Sequence, residues 1–189
     1  MSASDAQPKA FRAPRRDALR NDAIVIDAAR AVFAEQGPQA SMESIASRAG
    51  VGVGTIYRRF EGKDALLDAI AELFTKEMDQ AAAEALANPN PGKGLEQFLE
   101  FVGTFNAEKR RYASALTDRA PLKDVSKRTE ANVAKLTQSA VAAGFLAPHV
   151  TGDDIKALIV ALRGVVVAVD DGDAAWRRFV TIHLAGLRG

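Results

Sequence analysis

Apolar residues recur at helical spacing through nearly the whole chain, and glycine and proline fall mostly in the breaks between stripes. No stretch shows sustained alternation of apolar and polar residues between turn signals, so the fold class this predicts is all-α. Val25, Ile26, Ala29, Val32 and Phe33 share one helical face, and Gly37 followed by Pro38 closes that helix. Ser41 is a good N-cap for a short helix over SMESIASRAG, with Ser44 where a full capping box would place Glu or Gln. From Gly62 a long helix carries Leu66, Leu67, Ile70, Leu73, Phe74 and Met78, until NPNPGKG at 88–94 breaks it as a linker or turn.

Beyond that break come an aromatic helix with Phe98, Phe101, Val102 and Phe105, an irregular region around Pro121, and a helix through Val125, Val133, Leu136, Val141 and Phe145. Two further helices finish the chain. One starts behind a Thr151 to Asp154 cap and carries Ile155, Leu158, Ile159, Leu162, Val165, Val166 and Val169. The other follows DDGD with Trp176, Phe179, Val180, His183, Leu184 and Leu187.

A chain of 189 residues, 48% of them hydrophobic, has ample material for a core. It has no cysteine, which excludes a disulfide framework, a thiolate nucleophile and a cysteine zinc site. The first 16 residues lack an apolar signal core, and no apolar run reaches the roughly 18 residues of a membrane span. A soluble, cytoplasmic protein without a membrane partner is the expectation. Charge is uneven: residues 1–63 carry 10 Lys/Arg against 7 Asp/Glu, concentrated at Lys9, Arg12, Arg15, Arg16 and Arg20 and again at Arg48, Arg58, Arg59 and Lys63. This balance fits either an anionic partner for the N-terminal part or a solvated tail and an ordinary surface.

The segment GVGVGTIYRRF, residues 50–60, raises the question of phosphate binding. A P-loop ending at Gly62 and Lys63 would need glycine at Tyr57 and a hydroxyl at Asp64, and a dinucleotide fingerprint would need glycine at Thr55 or Tyr57 after a strand. Neither fits. A turn between two short helices does, with Gly50 ending the first and Val53 to Arg59 forming the second. At about 100° per residue, Val53, Ile56 and Phe60 then cluster inward, while Thr55, Arg58 and Arg59 face outward. The missing side chains of Gly52 and Gly54 would let that helix approach a phosphate backbone.

VIDAARAVFAEQG, SMESIASRAGVGVGTIYRRF and EGKDALLDAI, in this order and spacing, closely resemble the N-terminal DNA-binding domain of the TetR family of bacterial transcriptional regulators, over about residues 20–74. The resemblance implies a helix-turn-helix with the helix near Val53 as recognition helix. By it, Ser41, Thr55, Tyr57, Arg59 and Lys63 touch phosphates, and Gly52, Val53, Gly54, Tyr57 and Arg58 lie near base edges. The family often has Thr at Ser41, Ser at Gly52 and His at Arg59, so base preference is open to change. For Tyr57 the plainer alternative is a cap on the small core, and for Lys63 a solvated side chain.

Residues 1–16 read from composition as a disordered basic tail, against an arm that enters the minor groove; the resemblance implies a DNA-binding domain up to residue 74 (17–74) and a helical domain over 75–189 that binds an effector and dimerises. The expected partners are double-stranded operator DNA, a small, fairly apolar effector of unknown identity, and a second copy in a homodimer; a repressor on a palindromic site is the expected mode. For the pocket the aromatic set Phe98, Phe101, Phe105, Tyr112, Leu116 and Phe145 is the candidate, against plain core as the alternative. For the dimer seam Leu158, Leu162, Val165, Val166, Phe179, His183 and Leu184 are candidates, against burial within one subunit. His149 and His183 have no metal-ligand spacing, and no nucleophile and base pair is apparent, so neither catalytic residues, metal nor cofactor are expected.

Overall fold

The computed structural model of the chain describes residues 14–116, 119, 123–169 and 173–188. Its elements are α1 (Pro14–Gln36), α2 (Met42–Ala49), α3 (Val53–Tyr57), α4 (Lys63–Leu86), α5 (Pro91–Lys109), a 3₁₀ segment (Arg110–Leu116), α6 (Lys123–Ala142), α7 (Gly152–Ala168) and α8 (Ala174–Leu187). Among the described residues there is no strand, in line with the all-α expectation. The first helix begins at Pro14, so three residues assigned to the tail are helical; Lys9 and Arg12 lie outside the described residues, as does Pro121.

Local chemistry sets the boundaries. The Ser41 hydroxyl accepts the Ser44 N–H at 3.1 Å and starts α2, and Gly50, at φ 68°, ends it in the left-handed region that favours glycine. Thr151 and Asp154 form the full capping box of α7. The break at 88–94 is shorter than its composition predicts. Asn90 caps α5 through the Lys93 N–H, and Pro91 occupies its first turn, where a missing N–H costs nothing.

Two apolar clusters result. Val25, Val32, Phe33, Ile45, Ile56, Leu66 and Ile70 form the N-terminal one, and Phe74, Phe105 and Tyr112 belong to it too. The Phe74 and Phe105 rings meet edge-on at 4.8 Å. The second gathers Leu95, Phe98, Leu99, Leu136, Ile155, Leu162, Trp176 and Leu184 from α5 to α8. Met78 and Phe101 pack against both clusters. At Gly103 the backbone of α5 approaches the Trp176 ring so closely that a Cβ would lie 2.2 Å from it.

This packing corrects the expected dimer seam. Leu158, Leu162, Val166 and Leu184 are buried in their own subunit's core, and Val165 and Phe179 pack partly against it. Their stripe faces α5 and α6, and amphipathicity alone does not distinguish an inner face from a partner-covered one. Ile182 of α8, 55% exposed, faces outward instead, and the exposed Val160 and Val167 of α7 line a cavity. Gly164 and Gly186 are open on these helices, with nothing within 4 Å of a built Cβ. His183 is exposed, its ring 3.9 Å from that of Phe179.

Candidate nucleic-acid interface

The five-residue helix α3 is anchored by Ile56, which is fully buried, with Val53 and Phe60 half-buried beside it. Its other side is free. Gly52, Gly54, Thr55, Tyr57, Arg58 and Arg59 are all exposed, as is Ser41 at the start of α2. Tyr57 is 53% exposed, which removes the reading that it caps the core. Neither Gly52 nor Gly54 is demanded by the chain's own packing: a Cβ at Gly54 would meet nothing within 4 Å, and one at Gly52 only the Thr55 hydroxyl at 3.9 Å.

The cations on this surface are held in different ways. Arg48 forms a paired bond with Glu35 at 2.8 and 3.2 Å. Arg59 donates to both oxygens of Asp22 at 2.5–2.8 Å, and this carboxylate raises its pKa and keeps it ionised. Lys63, half-buried, donates to the Pro38 carbonyl at 3.1 Å and so closes the loop between α1 and α2 rather than standing solvated. Arg58 donates only to the Thr55 hydroxyl, at 3.2 Å, and meets no carboxylate among the described residues. Asp22 went unread in the sequence because its partner lies 37 positions away and no spacing rule links them.

A cavity of about 1260 Å³ opens between α4, α5, α6 and α7. Phe98, Phe105 and Leu116 of the expected aromatic set line it. Phe101, Tyr112 and Phe145 do not, which is a correction. Phe101 stacks on Phe105 between the two cores, and Tyr112, 1% exposed, packs against Phe33 in the N-terminal cluster. Phe145 lies over Gly92 under the Arg188 guanidinium. Phe74, Met78, Val102, Val133, Ile159, Val160 and Val167 extend the apolar wall, and Asn106, Lys109, Thr129 and Arg163 are among the residues that bring polar groups to it. Lys109 had a legible signal: it ends the stripe Phe98, Val102, Phe105, Lys109 on α5.

Among the described residues no three His, Cys, Asp or Glu side chains gather as a metal site would require, and no helix is long and apolar enough to cross a membrane.

The family model described as "Bacterial regulatory proteins, tetR family" matches residues 25–70, and that of the "Transcriptional regulator SbtR-like, C-terminal domain" matches residues 90–189, more than half of the chain. The chain belongs to the TetR family. Members are transcriptional regulators rather than enzymes, and this TetR-family chain is a DNA-binding transcriptional regulator with α2 and α3 as its helix-turn-helix. It is similar to the TetR transcription regulatory protein of Mycobacterium vanbaalenii, at 31% identity and TM-score 0.71 over 93% of this chain and 99% of that one. It is similar also to the TetR transcriptional regulator SCO0520 of Streptomyces coelicolor, at 26% identity and TM-score 0.71 over 88% and 98%. The uncharacterized HTH-type transcriptional regulator YhgD of Bacillus subtilis (strain 168) is 37% identical over 87 residues, 43% of this chain and 46% of that relative.

Proposed function

We propose that this regulator is a cytoplasmic, dimeric repressor that places α3 of each subunit in the major groove of a palindromic operator and leaves it when a small molecule enters the cavity. The observation that carries the DNA-contacting residues is the open outer face of α3, where Tyr57 and Arg58 project free of any packing role. Arg58, without a carboxylate partner, is suited to a base edge, and Ser41, Thr55, Arg59 and Lys63 are suited to phosphates. Gly52, Val53 and Gly54 lie at the start of α3, where the missing side chains of the two glycines admit the DNA and bring Val53 near the base edges.

A helix of five residues reads too few bases alone, so two copies about 34–36 Å apart are required. The outward face of α8, with Ile182 and Gly186, supplies the seam, since an apolar side chain beside an open glycine allows close helix crossing.

Release follows from Phe74. It lines the cavity and belongs to the core beneath the helix-turn-helix, with Arg30 of α1 4.9 Å over its ring. A ligand pressing on Phe74 and on α4 therefore acts directly on the elements that set the spacing of the recognition helices. Linkage requires operator DNA and effector to weaken each other's binding by the same factor. The test is titration of an effector found by thermal-shift screening with and without operator; equal affinities would contradict the regulatory reading.

A further inference from the structure

We infer that the cavity is built for an amphiphilic carboxylate, whose head group pairs with Lys109 and whose hydrocarbon part lies along Phe98, Val102 and Ile159. This rests on the proposal that the cavity is the effector site, and it replaces a fairly apolar effector by an anionic one.

Lys109 sits at the C-terminal end of α5, is 8% exposed, and lines the cavity. No hydrogen bond or ion pair reaches it among the described residues. Its ammonium lies 4.2 Å from the centre of the Phe105 ring and 5.0 Å from that of Phe74. Ring faces attract a cation but offer no lone pair to its three N–H donors, so an acceptor is still lacking. The neighbouring charges do not supply one. Glu77 of α4 is held by Arg30 of α1 at 2.7 Å, Glu130 of α6 is held by Lys156 at 3.1 Å, and Arg163 of α7 adds a further positive charge. Burial and Arg163 push Lys109 down to about 7, against a smaller opposing effect of Glu77. No fully buried side-chain nitrogen or oxygen among the described residues lacks a partner, so the Lys109 ammonium opens onto the cavity, where, in a mostly apolar wall, it is complementary to a negative charge on an apolar stem.

The test uses the full chain without DNA, octanoate as probe and 1-octanol as its uncharged counterpart, by calorimetry. Octanoate is expected to bind at least about tenfold tighter than octanol near neutral pH, since a charge-assisted hydrogen bond is worth that or more. Raising the pH from about 6.5 to 8.5 should weaken octanoate and leave octanol unchanged, because Lys109 loses its proton in that interval. Lys109→Met should abolish the preference while retaining octanol binding, and Lys109→Arg should restore much of it. Equal binding of the two probes, octanoate binding unaffected by Lys109→Met, or no octanoate binding at about 1 mM would each overturn the assignment. Failure of the effector reading is read separately: octanoate held through Lys109 that leaves operator binding unchanged keeps the carboxylate site and removes its regulatory role.

Discussion

Arg58 and Arg59 are adjacent cations whose surroundings give them different work. Asp22 pairs with Arg59, and in the proposed complex it would compete with a phosphate for it, whereas Arg58 carries no such competitor. Asp22→Asn should therefore strengthen binding to all DNA sequences alike and steepen the salt dependence by about one unit of slope. Arg58→Ala should cost about 1–3 kcal/mol and relax preference at one base position, as read by competition against single-base operator variants. Lys109 gives a separate prediction at this scale. Its folded pKa of about 7 lies well below that of an unfolded lysine, so between about 7 and 10 the unfolded chain binds the extra proton. Stability must then rise with pH across that window, and the burial penalty is fully present only below it. Thermal unfolding of the ligand-free chain should show this rise, and Lys109→Met should lose that part of it and be the more stable protein at pH 7.

At the scale of the element, α3 and α5 show what a helix face does and does not announce. The outward side of α3 was legible from spacing, because a five-residue helix with Ile56 inward leaves only one way for Thr55 and Arg58 to point. The apolar stripes of α7 and α8 were legible as stripes, yet Leu158, Leu162, Val166 and Leu184 turn into their own subunit and Ile182 turns out. Periodicity fixes that a face is covered, not by what. The aromatic set failed in the same way at Tyr112 and Phe145, which fill cores instead of the cavity. Gly54→Ala should have opposite effects on two properties. The helix should gain about 0.5–1 kcal/mol from the better helix former, since a Cβ there meets nothing, while DNA affinity should fall because the Cβ stands where the groove approaches. Gly103→Ala should do the reverse: overlap with Trp176 should destabilise the chain by about 1–3 kcal/mol in denaturant unfolding, without altering the α3 surface.

Across the whole molecule, α4 and α5 run from the DNA-facing core to the cavity, and Phe74 and Phe105 belong to both. That shared floor makes the two sites neighbours rather than distant stations, so a ligand needs no long relay to reach the helix-turn-helix. The proposed dimer is the other requirement of this reading. Ile182→Glu should give a folded monomer by sedimentation with operator affinity much reduced, whereas Val166→Glu should unfold the subunit because it places a charge in the core. The central claim is that the exposed face of α3 reads DNA as a pair. Nuclease protection of the DNA flanking the gene for this chain tests it most directly, comparing the unaltered protein with a Tyr57→Ala, Arg58→Ala double variant whose unfolding curve is unchanged. The expected result is two protected half-sites about 10–10.5 base pairs apart, or a multiple of that, lost in the double variant. Protection that persists in the double variant, with the same half-sites and affinity, would contradict the account.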